Sequence, residues 1–252
     1  MYLTIKGLVL RVTNYNDTDA LLTLLTHDHG RLTVKVRNLR RRNSRMFAPC
    51  QLLAYSEFTL FTYKDLYTVN EASAIELFQG LRKDIQKLSL GSYFAQLSEV
   101  LSQEDMPSPE LLSLTLNSLY ALSSLNLDEI QIKATFELRS ACLAGYTPDL
   151  SSCACCGATS ADRFNVSAGH LECNKCSKCR EYGSEGIRVP VSSGVLDAMR
   201  YICNCNAKQI FAYKLGDEAL SLLSQVTELY LVTQLERGFT TLDFYKSLLF
   251  LS

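Results

Sequence analysis

The stretch RLTVKVRNLRRRNSR at residues 31–45 decides how the first third of this chain is read. Its opening alternates strictly, with Leu32, Val34 and Val36 on one side and Arg31, Thr33, Lys35 and Arg37 on the other. Successive side chains of a β-strand point to opposite faces, so the pattern predicts a strand with an apolar face toward a core and a cationic face toward water. The strand runs straight into Arg40, Arg41, Arg42 and Arg45 on a polar loop, and no aspartate or glutamate between His29 and Ser56 answers them. Strand face and loop can therefore form one continuous positive surface.

Around this strand lie four more of the same texture: LTIKGLVLRV (3–12), ALLTLLT (20–26), LLAYSEFTLF (52–61) and LYTVNEA (66–72). They are rich in Leu, Val, Thr, Tyr and Phe and separated by turn signals such as HDHG and YKD, which points to a small five-stranded barrel. From about residue 75 the apolar spacing becomes three and four, predicting helices over 84–101, 109–125, 128–145, 192–204, 217–238 and 241–251. Pro107 and Pro109 separate the first two, Ser192 and Ser193 are N-cap candidates, and Gly238 reads as a stop signal. The expected architecture is α+β and multidomain. A barrel occupies 1–80, a helical domain 81–252, and a Gly-, Ser- and Cys-rich module at 148–186 is inserted in the latter.

The chain has 252 residues, 47% of them hydrophobic, enough to fill ordinary cores. Its formal net charge of −1 hides an asymmetry: residues 1–80 carry ten Lys/Arg against seven Asp/Glu (+3), and residues 81–252 carry fifteen against nineteen (−4). No apolar run reaches the ~18 residues of a spanning helix, and the start of the chain lacks the features of a signal peptide. The expectation is a cytoplasmic protein with no membrane partner.

Ten cysteines are unusual for such an address, and six of them crowd between Cys153 and Cys179. Cys153 and Cys156 form one C-x-x-C pair; Cys173 and Cys176 form a second, after sixteen intervening residues. This is the spacing of a four-thiolate structural zinc site, with Gly157 permitting the tight turn after the first pair. Cys176 and Cys179 make a third C-x-x-C, so Cys179 could replace Cys173 or Cys176, and Cys155 is surplus. A disulfide framework or a redox dithiol are the other readings of the cluster. Cys50, Cys142, Cys203 and Cys205 read as small buried hydrophobes. His170 and Glu172 form an H-x-E of the kind found beside catalytic zinc in nucleobase deaminases. No proline precedes either cysteine pair, and four thiolates leave no open position for water, so the expected metal is structural.

An arginine run is ordinarily a solvated face. Here the lack of acidic partners, the cationic strand and the barrel favour nucleic acid, because guanidinium groups make bidentate contacts with phosphate and lie flat on bases. Phe47, Tyr55, Phe58, Phe61 and Tyr63 could stack on bases or belong to the core. Phosphate-binding loops and nucleophile motifs are absent. Asp17, Asp19 and Asp28 could hold Mg²⁺ for a nuclease, but they sit among turn residues where aspartate is ordinary. An enzyme is not expected. The alternative is an RNA-binding or ribosome-associated protein.

With these pieces in order, the chain resembles the RecO family of bacterial DNA repair and recombination mediators, in its zinc-containing form. GLVLRV, TDALLTLLTHDHGRLTVKVRNLRRRNSR, LSSCACCGATSADRFNVSAGHLECNKC and YKSLLFL carry the resemblance, which spans nearly the whole chain. The chain departs from the family where VRNLRRR stands in place of a basic loop that usually begins with lysine and glycine. The resemblance implies an N-terminal oligonucleotide/oligosaccharide-binding (OB) barrel, a helical domain and a Zn²⁺ module. It further implies binding of single- and double-stranded DNA, strand annealing and, with the partner RecR, help in loading RecA onto strands coated by single-strand-binding protein (SSB), close to the nucleoid. It also implies docking of the acidic, apolar SSB C-terminal tail in a groove with a basic rim, for which Arg139, Arg200 and Lys246 are candidates.

Overall fold

The computed structural model describes residues 1–64, 66–178 and 186–250. The alternating pattern at residues 31–36 becomes strand β3 (Arg31–Val36), flanked by β1 (Tyr2–Asn14), β2 (Ala20–Thr26), β4 (Tyr55–Tyr63) and β5 (Leu66–Glu76). The five close into a barrel in the order β1-β2-β3-β5-β4, antiparallel except for β3 and β5, which run parallel with Val34 opposite Tyr67. This is an OB-type barrel, and closure leaves no sheet edge exposed. Leu32, Val34 and Val36 point inward and pack with Ile5, Val9, Leu22, Leu24, Phe58, Leu60 and Val69. Burying each such side chain stabilises by about 1.5–3 kcal/mol.

The fourth strand begins at Tyr55 rather than at residue 52. Leu53 takes a left-handed φ of 64°, which breaks the strand there. Its N–H donates to the Val9 carbonyl (2.9 Å), and the Val9 N–H donates to the Ala54 carbonyl (2.9 Å). The turn thus satisfies β1 beside the bulge between Val9 and Arg11.

By its internal contacts the chain divides into two units, Met1–Asn126 with Phe239–Ser252, and Leu127–Gly238. The first unit holds the barrel with helices α1 (Ile85–Leu101), α2 (Pro109–Ser124) and α6 (Thr240–Leu249). Asp84 caps α1 by accepting from the N–H groups of Gln86 and Lys87, and Pro109 opens α2 where its missing N–H costs nothing. The change from strands to helices near residue 80 therefore falls inside this unit.

The second unit holds α3 (Glu129–Leu143), α4 (Ser193–Asn204), α5 (Asp217–Leu235) and a sheet of β6 (Asp149–Cys153), β7 (Arg163–Asn165), β8 (His170–Glu172) and β9 (Arg188–Pro190) in the order β6-β8-β7-β9. Ser192 caps α4 through the Val195 N–H. Helix α5 ends three residues before Gly238, because Glu236 adopts the left-handed cap conformation (φ 49°) and its N–H returns to Val232 and Thr233. Between α3 and α5 the Lys133 ammonium is buried against Glu137 (2.9 Å) and Glu228 (2.8 Å).

Candidate nucleic-acid interface and metal centre

The cationic face of β3 and the loop after it form a surface with an internal anchor. Leu39 and Cys50, at either end of the loop, are buried in the barrel core with Met46 packed against them. Arg37 just before them and Arg40, Arg41, Arg42 and Arg45 between them are all exposed. Successive turns hold the loop's shape, with the Arg41 N–H donating to Asn38, Ser44 to Arg41, Phe47 to Ser44 and Cys50 to Met46. Asn38 and Asn43 supply the left-handed φ values these turns require. Burial pushes the Cys50 thiol up to about 12, so it acts as an inert packing group.

Asp19 ties the loop to the barrel. Its carboxylate accepts from the Asn38 N–H (2.9 Å), the Lys35 ammonium (3.1 Å) and the Asn16 amide (3.1 Å). The Asn38 N–H, and after it the Lys35 ammonium, hold the Asp19 carboxyl well below the usual carboxylate range, against the smaller opposing effect of burial. Nearby, the Arg40 N–H donates to the Thr18 carbonyl (3.0 Å) and its guanidinium to the Asn16 carbonyl (3.1 Å). Asp19 is thus engaged as a loop anchor. Asp28 pairs with His27 (2.6 Å) and Asp17 is exposed, so the three aspartates gather into no cation site among the described residues.

The basic residues divide by what they touch. Arg31 donates to the Glu99 carbonyl (3.0 Å) and lies 3.7 Å from Glu104, while Lys35 is shared between Asp19 and the face of the Tyr15 ring (4.6 Å). Arg37, Arg41, Arg42 and Arg45 find no side-chain partner among the described residues. Of the aromatic candidates, Phe58 is core and Tyr55 half-buried, whereas Phe47, Phe61 and Tyr63 are exposed. Tyr15, also exposed, was not legible as part of this surface. It arrives there because Asn14 pairs with Ala20 and Ala20 with Val36, which sets the β1–β2 turn beside the end of β3. In OB barrels the face of strands 2 and 3 with the loops after strands 1 and 4 is where oligonucleotides bind. Cationic β3 lies on that face, Tyr15 in the loop after β1 and Tyr63 at the very end of β4.

In the second unit, Cys153, Cys156, Cys173 and Cys176 bring their sulfurs within 4.8 Å of one another. They form the only group of three or more potential ligands found among the described residues. Cys153 ends β6 and Cys173 follows β8, so the pairing of these strands sets the two C-x-x-C turns side by side. Gly157 takes a φ of 72° in the first turn, and its N–H closes on the Cys153 carbonyl (2.8 Å). The Cys173 N–H donates to the Cys153 sulfur (3.3 Å) and the Cys176 N–H to the Cys173 sulfur (3.5 Å). Burial raises the Cys153 thiol, but N–H groups of Cys173, Cys156 and Cys155 outweigh it and bring Cys153 down to about 6; the Cys176 N–H lowers Cys173.

The donor set fits a tetrahedral cation. Metal–sulfur bonds of about 2.3 Å imply sulfur–sulfur edges of about 3.8 Å, and Cys156 and Cys173 lie 3.8 Å apart. Four thiolates would fill such an ion's coordination, so the site can hold a metal but offers no open position for chemistry. Cys179 lies outside the described residues. His170 and Glu172 serve the fold beneath the cluster: buried Glu172 accepts from Arg188 (2.7 Å) and Asn165 (2.8 Å), with His170 at 3.4 Å.

The remaining candidates are engaged or separate. Arg139 donates to the Ile202 and Cys203 carbonyls at the end of α4, and Arg200 to the Leu150 carbonyl (2.9 Å) and Asp197 (3.2 Å). Lys246 is exposed on α6, in the other unit. Cys142, Cys203 and Cys205 are half-buried at helix ends rather than fully packed.

Residues 1–78 match the family model described as Recombination protein O N terminal, and residues 82–243 match Recombination protein O C terminal. A protein named DNA repair protein RecO from Acetivibrio thermocellus is 35% identical over 248 residues, 98% of this chain and 97% of that one. Proteins of the same name from Alkaliphilus metalliredigens (28% identical; 98% of this chain, 100% of that one) and Bacillus subtilis (26%; 89% and 86%) are similar along most of their lengths. No helix among the described residues is long and apolar enough to cross a membrane.

Proposed function

This chain belongs to the RecO family, and from that premise we propose that it is a DNA-binding mediator of recombination in DNA repair. It binds single and double strands through the basic loop and cationic strand of its barrel, anneals complementary strands and, with RecR, helps RecA replace SSB. The observation that carries this reading is the set of four exposed arginines without side-chain partners among the described residues, on a loop held from below by Leu39, Cys50 and Asp19. Such a surface offsets repulsion between two phosphate backbones and leaves base edges free to pair, which is what annealing requires. Arg31, Lys35 and Arg40 extend it, with a smaller share because protein groups already engage them.

The four cysteines hold one structural Zn²⁺, which would fasten the strands around them and supply no reaction. No residue is assigned a catalytic role. For the SSB tail, the apolar groove between α1 and α6, lined by Ile85, Leu88 and Phe244 and about 250 Å³ in volume, is a place in the first unit with the right chemistry, with Lys246 on the same helix. The protein acts on nucleoid DNA in the cytoplasm. Competition between DNA and RNA strands of one sequence, together with an annealing assay, tests the reading. DNA preference and faster annealing of complementary strands are expected; RNA preference without annealing would replace it.

A further inference from the structure

Cys142 and Cys203 stand outside the metal centre and have a geometry of their own. Cys142 lies near the end of α3 and Cys203 near the end of α4, with their sulfurs 3.6 Å apart. The guanidinium of Arg139 donates to the Cys203 carbonyl, which brings a cation near both thiols. Both cysteines are half-buried, neither being fully enclosed. The Cys203 thiol beside it brings Cys142 down to about 7, with help from Thr147 and Arg139 and against burial, while Cys203 is pushed up. The two adjacent sulfurs thus titrate as a pair, which reaches a state of one thiolate and one thiol sharing a proton before both are deprotonated.

We propose that Cys142 and Cys203 form a reversible redox site that reacts with hydrogen peroxide and closes into a disulfide. The Cys142 thiolate attacks one peroxide oxygen and the O–O bond breaks, giving Cys142 sulfenic acid and hydroxide. Cys203 then attacks the sulfenic sulfur, the S–S bond forms, the S–O bond breaks, and the hydroxide leaves with the Cys203 proton as water. The first hydroxide takes up the proton that Cys142 had released, so the two thiols are oxidised by two electrons and one peroxide is reduced to two waters. The sulfurs must close from 3.6 Å to about 2.05 Å, which side-chain rotation at two helix ends can supply. The bond would join the end of α3 to the far end of α4 and so close a loop that contains the four-cysteine segment together with α4, whatever the state of its metal.

The test treats purified full-length protein with one equivalent of hydrogen peroxide, blocks free thiols with an alkylating reagent and maps the peptides by mass. The expected product is a Cys142–Cys203 cross-link, absent after dithiothreitol, with metal content unchanged. The oxidised protein should also melt roughly 5 °C higher. Cys203→Ser should accumulate Cys142 sulfenic acid, captured by dimedone, and Cys142→Ser should leave Cys203 alkylatable. Both cysteines free after treatment, a link to Cys205 instead, or an unchanged melting temperature in the cross-linked protein would overturn the proposal. The wild-type peptide map decides the matter even if a variant fails to fold.

Discussion

Replacing Arg37, Arg41, Arg42 and Arg45 together by alanine removes the four cations of the loop that have no side-chain partner among the described residues. If each neutralises one phosphate of a bound single strand, its loss lowers the slope of log affinity against log salt by about 0.7, so the four together remove about 2.8 units. Over a fourfold change in salt, such as 50 to 200 mM, that slope corresponds to about 50-fold of the parent's loss of affinity, which the variant should not show. Fluorescence anisotropy with a labelled strand, repeated across salt concentrations and on two unrelated sequences, reads both slope and specificity. The loss should be the same for both sequences, since phosphate contacts carry no base information. Thermal stability should stay within about 0.5 kcal/mol, because these side chains are exposed and their removal relieves mutual repulsion. The paired change Arg31→Ala and Lys35→Ala should flatten the slope less than any two of the four. A quadruple variant that melts normally and keeps the parent's slope would refute the reasoning and leave the loop as a solvated face.

Metal analysis should find about one zinc per chain, lost in Cys156→Ser and retained in Cys155→Ser, with chelation unfolding the segment around β6 to β8; a folded, metal-free parent would contradict this. Asp19→Ala should weaken DNA binding although it removes no cation, because Lys35 and the Asn38 N–H lose their common acceptor; equal affinity with unchanged exchange of the Asn38 amide would count against the anchor. Since the folded-state pKa of Asp19 is depressed, the stabilisation it brings is complete above the unfolded carboxylate value of about 3.9 and fades as pH falls below it. Asn38 exchange, followed by hydrogen–deuterium NMR, should therefore rise below that pH more than the intrinsic rate accounts for, and Asp19→Asn should abolish the pH dependence.

The strand at residues 31–36 was legible because a barrel has one wet and one dry face, and a period of two records both in five or six residues. The two C-x-x-C pairs were legible because metal ligation constrains spacing directly. What lies between such periodic signals was not. That Leu39 and Cys50 plug the basic loop into the core, or that Tyr15 lies under Lys35, follows from strand pairing over long sequence distances. The turn at Leu53 was hidden because leucine carries no preference for a left-handed φ. Helix α3 defeats periodicity in another way: it is buried almost all round, so Lys133 and Glu137 face an ion cluster rather than water. Cys142 and Cys203 look like packing residues in sequence, and only the meeting of α3 with α4 makes them a pair.

The most direct test of the central claim, that the barrel's basic loop and strand hold nucleic acid, is ultraviolet cross-linking of the intact protein to a thymine-rich single strand with mass mapping of the adducts. Adducts are predicted within residues 15–63, at exposed aromatics such as Tyr15, Phe47, Phe61 and Tyr63, and should disappear when unlabelled strand or high salt competes. Adducts confined to Leu127–Gly238, with none on the barrel, would contradict the account and move the nucleic-acid site to the other unit.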